Sequence, residues 1–342
     1  MNTIISFADA LKMAKRYGKK PHLLTGNGFS IACRPDIFVY GKLFEQADFS
    51  RLTPSARDSF EALKTTDFER VIRALGDATK LVHLYSDEPD IQKRMKADAD
   101  GLRDVLVNTI AKSHPDRPSD ISDEEYAACK AFLSHFDKIY TLNYDLLLYW
   151  TMMHVEAGSS PTSDDGFRKS KDDLDAGYVV WEPENSHEQN TYFLHGALHI
   201  FDAGNEIQKY TWINTGVRLI EQIRNALSRE FYPLFVAEGT SMEKIQRIKH
   251  SDFLAKAYRS FQSIGGSIFI YGHSLAENDE YFLKVLERGK IEHIFIGIYG
   301  DPSKPENKAI MERGKKMESA RTGKHKLQVT FYDAKTAKVW GK

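Results

Sequence analysis

The chain has 342 residues, 42% apolar and 28% charged, enough for one large domain or two ordinary ones of a soluble globular kind. Its 47 basic and 48 acidic side chains nearly cancel, which removes the electrostatic case for direct binding to nucleic acid or to an anionic membrane. Two cysteines, Cys33 and Cys129, exclude a disulfide framework and a four-cysteine zinc site. With no signal-peptide pattern at Met1–Ser6 and no apolar run of membrane-spanning length, the reading is a cytoplasmic protein with reduced thiols and no metal.

Residues 6–19 read as a short amphipathic helix, with Phe7, Leu11 and Ala14 on one side. Pro21–Thr25 reads as a buried strand entering Gly26-Asn27-Gly28. From 55 to 130 the pattern is helical and polar, with a loop at His114–Asp120 and no strand signal. This is a helical insert between two parts of one α/β domain, residues 1–54 and 131–342. A second strand is expected at 137–142, followed by a polar surface loop from Gly158 to Asp175. Tyr178–Trp181 and Thr191–His195 read as strands, the first a hairpin partner for the second. After them strands at 232–236, 267–271, 293–298 and 327–331 alternate with helices at 215–229, 241–263, 278–289 and 305–320. Short continuous apolar strands alternating with helices predict a Rossmann-like, doubly wound α/β fold with a mainly parallel sheet and no zinc ribbon.

Several predicted strands end in residues suited to holding a polar ligand. Gly26-Asn27-Gly28-Phe29-Ser30 sits between a strand and a helix, where a backbone can approach a diphosphate, but Ile31 stands where a dehydrogenase fingerprint has its third glycine. Alternatively this is a tight turn capped by Ser30. Thr141-Leu142-Asn143-Tyr144-Asp145 places a carboxamide and a carboxylate at the next tip, where either could also cap the following helix. His195-Gly196 follows another strand, and His199 would face the same side were that strand to continue. Gly272-His273-Ser274, with Asn278-Asp279 behind it, again joins a strand to a helix. Ala237–Ser241 is a weaker candidate of the same kind. Jointly these tips would share one edge of one sheet, where a nucleotide lies in such folds.

The set resembles the sirtuin superfamily, and more closely its prokaryotic sirtuin-like NAD-hydrolysing branch of anti-phage defence. The G-A-G-x-S loop of that superfamily is similar to Gly26–Ser30, the T-x-N-Y-D form of the defence branch to Thr141–Asp145, the H-G pair to His195-Gly196, and the late G-x-S element to Gly272–Ser274. The similarity covers about residues 20–50 and 135–300, outside the helical stretch. It departs from the deacylating members in three ways: no cysteines for their zinc ribbon, only Pro35-Asp36-Ile37-Phe38 near their P-D-F-R segment, and Leu142 in place of a glutamine.

The resemblance implies cleavage of NAD+ to nicotinamide and ADP-ribose rather than deacylation. Asn143 would orient water or ribose hydroxyls, and His195, with a near-neutral pKa, would act as general base. Tyr144 (through its backbone) and Asp145 would hold the carboxamide. Gly26, Asn27, Gly28 and Ser30 would cradle the diphosphate, and Gly272 and Ser274 would line the adenosine end. The same analogy implies a regulated effector that depletes NAD+, forms homo-oligomers and answers to a partner ATPase or sensor, with the helical insert as assembly surface. The competing expectation is a sensor module that binds NAD+ or ADP-ribose without cleaving it; ADP-ribosyl transfer and a dehydrogenase rank below.

Overall fold

The short apolar runs form strands because each is bounded by Gly, Asn, Pro or a charged residue, and the longer amphipathic stretches between them form helices. The computed structural model describes residues 4–86, 88–154, 163–173, 175–211, 217–236, 241–321 and 326–342. In chain order its strands are β1 (His22–Thr25), β2 (Ile139–Thr141), β3 (Phe167–Lys169), β4 (Tyr178–Trp181), β5 (Thr191–Phe193) and β6 (Gly196–Asp202). They continue with β7 (Ile207–Tyr210), β8 (Pro233–Phe235), β9 (Gly265–Tyr271), β10 (Lys290–Ile298) and β11 (Gln328–Asp333).

Six strands form one sheet in the order β11-β10-β9-β1-β2-β5, and every neighbouring pair is parallel. A parallel bridge from Ile5 to Tyr332 extends it past β11. Numbered among themselves these strands lie 3-2-1-4-5-6, the order of a doubly wound dinucleotide-binding sheet. That order reverses between β1 and β9. The chain leaves β1 for β2 on one side and leaves β9 for β10 on the other, so a crevice opens between the loops that follow β1 and β9.

A parallel sheet covered on both faces needs strands that are apolar throughout. All four residues of β1 are buried, as are all three of β2 and of β5. Phe269 of β9 centres the core, with its ring 4.5 Å from Phe295, 5.5 Å from Phe136 and 5.6 Å from Phe7 and Tyr332. Full burial of such a ring stabilises by about 2–3 kcal/mol. Between 55 and 130 the chain is helical, with Pro54–Ala62, Phe68–Leu81, Pro89–Ser113 and Asp123–Leu133 and no strand among the described residues. No helix among the described residues is long and apolar enough to cross a membrane.

The other five strands build a second, antiparallel sheet, β3-β4-β7-β6-β8, that the sequence reading did not anticipate. It corrects two expectations. β4 pairs with β3 and β7 rather than with the run 191–195, and β8 pairs antiparallel with β6 rather than joining the parallel sheet. The cause is Gly196. Its φ of +79° turns the chain just after β5 and sends it into the second sheet as β6. A Cβ there would lie 1.8 Å from the Leu234 carbonyl oxygen, so β6 and β8 can approach only at glycine.

The edge strand β3 was hidden because it carries Arg168 and Lys169, and β7 because it carries Gln208 and Lys209. Lys209 is nevertheless buried, paired with Asp165 at 2.6 Å. The stretch read as a surface loop thus contains a strand and three buried side chains, Asp165, Phe167 and Ser170; its residues 158–162 and 174 lie outside the described residues.

Gly196→Ala is expected to destabilise the protein by about 3 kcal/mol or more, because strain at positive φ adds to a backbone clash. Gly204, with φ +85° and nothing within 4 Å of a built Cβ, isolates the strain alone. Urea unfolding midpoints that shift equally in Gly196→Ala and Gly204→Ala would contradict this account.

Candidate functional site

A cavity of about 950 Å³ runs along the edge of the parallel sheet at which its strands end. Every one of the six loops contributes: Gly26–Gly28 after β1, Leu142–Asp145 after β2, His195 after β5, Gly272–Ser274 after β9, Tyr299 after β10 and Lys335 after β11. Parallel strands lie about 4.8 Å apart, so six tips define a slot about 24 Å long.

The glycines at its middle have a structural cause of their own. Gly28 N–H donates to the Gly272 carbonyl at 2.8 Å, and Gly26 N–H to the Tyr271 carbonyl at 3.0 Å. A Cβ on Gly28 would lie 2.5 Å from Gly272 Cα, and one on Gly272 would lie 2.6 Å from Gly28 Cα. The two loops touch backbone to backbone at the reversal point of the sheet, leaving bare peptide as the cavity floor. Asn27 is occupied otherwise: its Nδ2 donates to the Phe38 carbonyl at 3.0 Å and ties the loop to the helix Pro35–Phe38.

The parallel register pairs Thr25 with Thr141, so the residues that follow each strand meet. Ser30, wholly buried in the helix Gly28–Cys33, donates its hydroxyl to Asp145 Oδ2 and accepts from Asn143 Nδ2, the latter at 2.7 Å. Asp145 Oδ1 accepts from the Leu147 amide at 2.9 Å. Burial pushes the Asp145 carboxyl above the usual carboxylate range, while the Ser30 hydroxyl and the Leu147 amide hold it down. A serine hydroxyl has one hydrogen, and here it goes to Asp145. Asn143 must therefore present its amide nitrogen to Ser30. Its Oδ1 is buried with no hydrogen-bond partner among the described residues, in a side chain that lines the cavity. An orphaned acceptor of this kind needs a ligand or water.

Ser30 thus sits beneath the cavity and cannot cradle a diphosphate, because its hydroxyl is consumed by Asp145 and Asn143. This corrects its expected role, and it caps no helix either. The Tyr144 carbonyl is likewise taken, accepting from Leu198 N–H at 2.8 Å.

Beside this relay lies a charged network. His195 Nε2 is 2.6 Å from the Tyr281 hydroxyl and 3.7 Å from Asp279 Oδ1, and its Nδ1 is 3.5 Å from the Tyr144 hydroxyl. Burial lowers its pKa to about 3, which overturns the near-neutral value expected of it. Lys244, fully buried, pairs with Glu69 at 3.2 Å and Asp279 at 3.3 Å. Burial opposes its charge, but the two carboxylates raise its pKa above the ordinary lysine value. The carboxylates themselves diverge. Burial raises Glu69 to about 7, with Lys244 opposing and Asp279 and Asp67 adding. Burial also opposes the charge of Asp279, but Lys244 and His273 outweigh it and hold that carboxyl well below the usual range. His273 Nδ1 accepts from the Leu275 amide at 3.0 Å, so its Nε2 carries the hydrogen given to Asp279 at 3.1 Å.

The cavity brings together Gly26, Asn27, Gly28, Asn143, Tyr144, Asp145, His195, Gly272 and Ser274. It leaves out Asp36, which is exposed, and His199, which is wholly buried between Tyr149 and Phe193 because the turn at Gly196 ends the strand it was expected to continue. Ala237–Thr240 lie outside the described residues. Leu142 lines the cavity, so an apolar side chain stands where the resemblance implies an amide.

A family model described as "Domain of unknown function (DUF4917)" matches residues 23–340. The chain belongs to the DUF4917 family. No curated protein matches it.

The sequence reading missed the charged network. Glu69 and Asp67 come from the start of the helix Phe68–Leu81, and Lys244 from the helix Ser241–His250, both outside the strand tips. Asp279, seen only as a helix cap, and Tyr281 follow β9. No spacing separates Glu69 or Lys244 from the solvated charges around them. His114 opens the expected loop just past the helix Pro89–Ser113 and supports the site: its Nδ1–H donates to the Pro115 carbonyl and its Nε2 accepts from the Leu146 amide, both at 3.0 Å.

Burial sets His22, His114 and His293 at about 4 and His195 at about 3, against 6.5 for an ordinary imidazole. The unfolded chain therefore binds protons from about pH 6.5 downward that the folded chain refuses until about 4. Stability is full above that window and falls as pH drops through it, by about 1.4 kcal/mol per histidine per pH unit. Glu69 acts in the opposite sense between about 7 and 4.5, and offsets one of the four. The thermal midpoint is expected to fall steeply between pH 7 and pH 5; a flat or rising midpoint would contradict neutral buried imidazoles.

Proposed function

We propose that this DUF4917 chain is an NAD+ glycohydrolase that cleaves NAD+ to nicotinamide and ADP-ribose, acting as a regulated effector of anti-phage defence. The observation that carries the reading is the orphaned Asn143 Oδ1, fixed in orientation by Ser30 and Asp145 at the edge of a 3-2-1-4-5-6 parallel sheet. An acceptor held rigidly in a partly enclosed cavity orients a water or ribose hydroxyl without reorganisation during the reaction.

The slot has the length for an extended dinucleotide. On this reading the nicotinamide ribose lies at the β2–β5 end, against Asn143 and His195. The diphosphate crosses the bare peptide of Gly26–Gly28 and Gly272, and the adenosine extends past Ser274 toward Tyr299, over whose ring Lys335 sits at 5.2 Å. Asp279 and Glu69 give the reacting end negative character, which favours the cationic pyridinium and the oxocarbenium-like transition state that follows it. Nicotinamide leaves neutral, so no acid need protonate it. The neutral His195 ring faces the Tyr144 hydroxyl on the ribose side and is held from behind by the Tyr281 hydroxyl.

One observation favours the second reading, a nucleotide sensor without turnover: both His195 nitrogens already face tyrosine hydroxyls. Incubation with NAD+ over a range of protein concentrations, with nicotinamide quantified, separates the two and allows for control by self-assembly or by a partner ATPase. Wild type is expected to release nicotinamide and Asn143→Ala to lose about a hundredfold or more in rate, with His195→Ala also impaired. Intact NAD+ recovered from a tight wild-type complex would establish the sensor instead, and undiminished turnover in both variants would remove the assigned residues.

A further inference from the structure

We propose that Glu69, carried into the cavity by the helix Phe68–Leu81 outside the parallel sheet, takes the proton of the attacking water, with Lys244 as its positioning residue. The inference rests on the NAD+-cleavage reading and adds to it a proton acceptor that the family resemblance does not supply.

Cleavage consumes one water and releases one proton. The water oxygen forms the new bond to ribose C1′, the bond from C1′ to the pyridinium nitrogen breaks with its electron pair going to nicotinamide, and one water proton must reach a base. Besides Glu69, the ionisable groups at this end of the cavity include Asp67, which caps the helix Phe68–Leu81 by accepting from the Arg70 amide at 3.3 Å. His195 has a tyrosine hydroxyl against each ring nitrogen and is held neutral by burial, so an imidazolium there is costly. Asp145 gives one oxygen to Ser30 and the other to Leu147. Asp279 is held ionised between Lys244 and His273, and so firmly that it is a weak base.

Glu69 differs from these. It lines the cavity, its Oε1 accepts from the Tyr144 hydroxyl across a long 3.4 Å, and its Oε2 accepts from Lys244 at 3.2 Å. Groups on several elements bear on its charge: Asp67 from the start of its own helix, Lys244 from Ser241–His250, Asp279 from the turn Glu277–Asp279, Tyr281 from the helix after that turn, and Tyr144 from the loop after β2. Burial, with Asp279 and Asp67 adding and Lys244 opposing, raises the carboxyl to about 7, where a base is both available and strong enough to act at neutral pH. Two carboxylates sharing one buried lysine are thereby split, Asp279 fixing the charge and Glu69 moving the proton.

The test is the pH dependence of kcat for nicotinamide release, from pH 5.5 to 9, in wild type, Glu69→Gln and Lys244→Met, with ADP-ribose binding measured in parallel. Wild type should rise about tenfold per pH unit below pH 7 and level off above it, since only the carboxylate accepts a proton. Glu69→Gln should lose about two to four orders of magnitude in kcat and the acidic limb, while binding ADP-ribose within a few-fold of wild type. Lys244→Met should move the limb to higher pH, because removing the cation leaves the Glu69 carboxyl harder to ionise; this shift decides the matter even if Glu69→Gln does not fold. A limb and rate unchanged in Glu69→Gln, or a limb unmoved in Lys244→Met, would overturn the role of Glu69 and leave NAD+ cleavage standing. A wild type that binds ADP-ribose yet releases no nicotinamide at any pH would remove both.

Discussion

The hydrogen bond from Ser30 to Asp145 is the constraint from which the rest of the site follows. It joins the loop after β1 to the loop after β2, and it exists because the parallel register sets Thr25 beside Thr141. By taking the only hydroxyl hydrogen of Ser30 it dictates which face of the Asn143 amide is left over. A single proton position beneath the cavity floor thus decides that the unpartnered atom of Asn143 is an acceptor rather than a donor. The contact of Gly28 with Gly272 holds the first of these loops against the one after β9 and keeps the floor free of side chains.

Electrostatics complete what backbone geometry begins. Lys244 has no exposure and would not be buried without compensation; Glu69 and Asp279 together supply it. Three elements distant in sequence are thereby pinned to one point, the helices that carry Glu69 and Lys244 and the turn after β9. The helical stretch between 55 and 130 is consequently part of the cavity wall, through Asp67, Glu69, Leu106 and Ile110, and its His114 supports the loop that follows Asp145.

Much of the parallel sheet was legible in the sequence because its strands are covered on both faces and so are continuously apolar, as in Ser267–Tyr271 and His293–Ile298. The second sheet was not legible: β3 and β7 are short and carry charges, and β8 looks like any buried parallel strand until its partner is known. The motif residues at strand tips were visible because glycine and asparagine interrupt apolar runs there. The misreadings share one cause. Ser30 was assigned to a ligand when Asp145 and Asn143 account for its hydroxyl, and His199 was carried past a glycine whose positive φ ends the strand. Glu69 and Lys244 were invisible because a functional charge on a helix looks like a solvated one until burial is known.

The central claim is that Asn143 Oδ1 is a prepared acceptor for the reacting end of NAD+. A crystal structure with ADP-ribose in the cavity tests it most directly. The account predicts that the terminal ribose lies at the β2–β5 end, with a C1′ hydroxyl or a water beside it donating to Asn143 Oδ1 and the Ser30–Asn143 contact intact. A ribose seated elsewhere in the slot, or an Asn143 amide turned to present its nitrogen to the ligand, would contradict it.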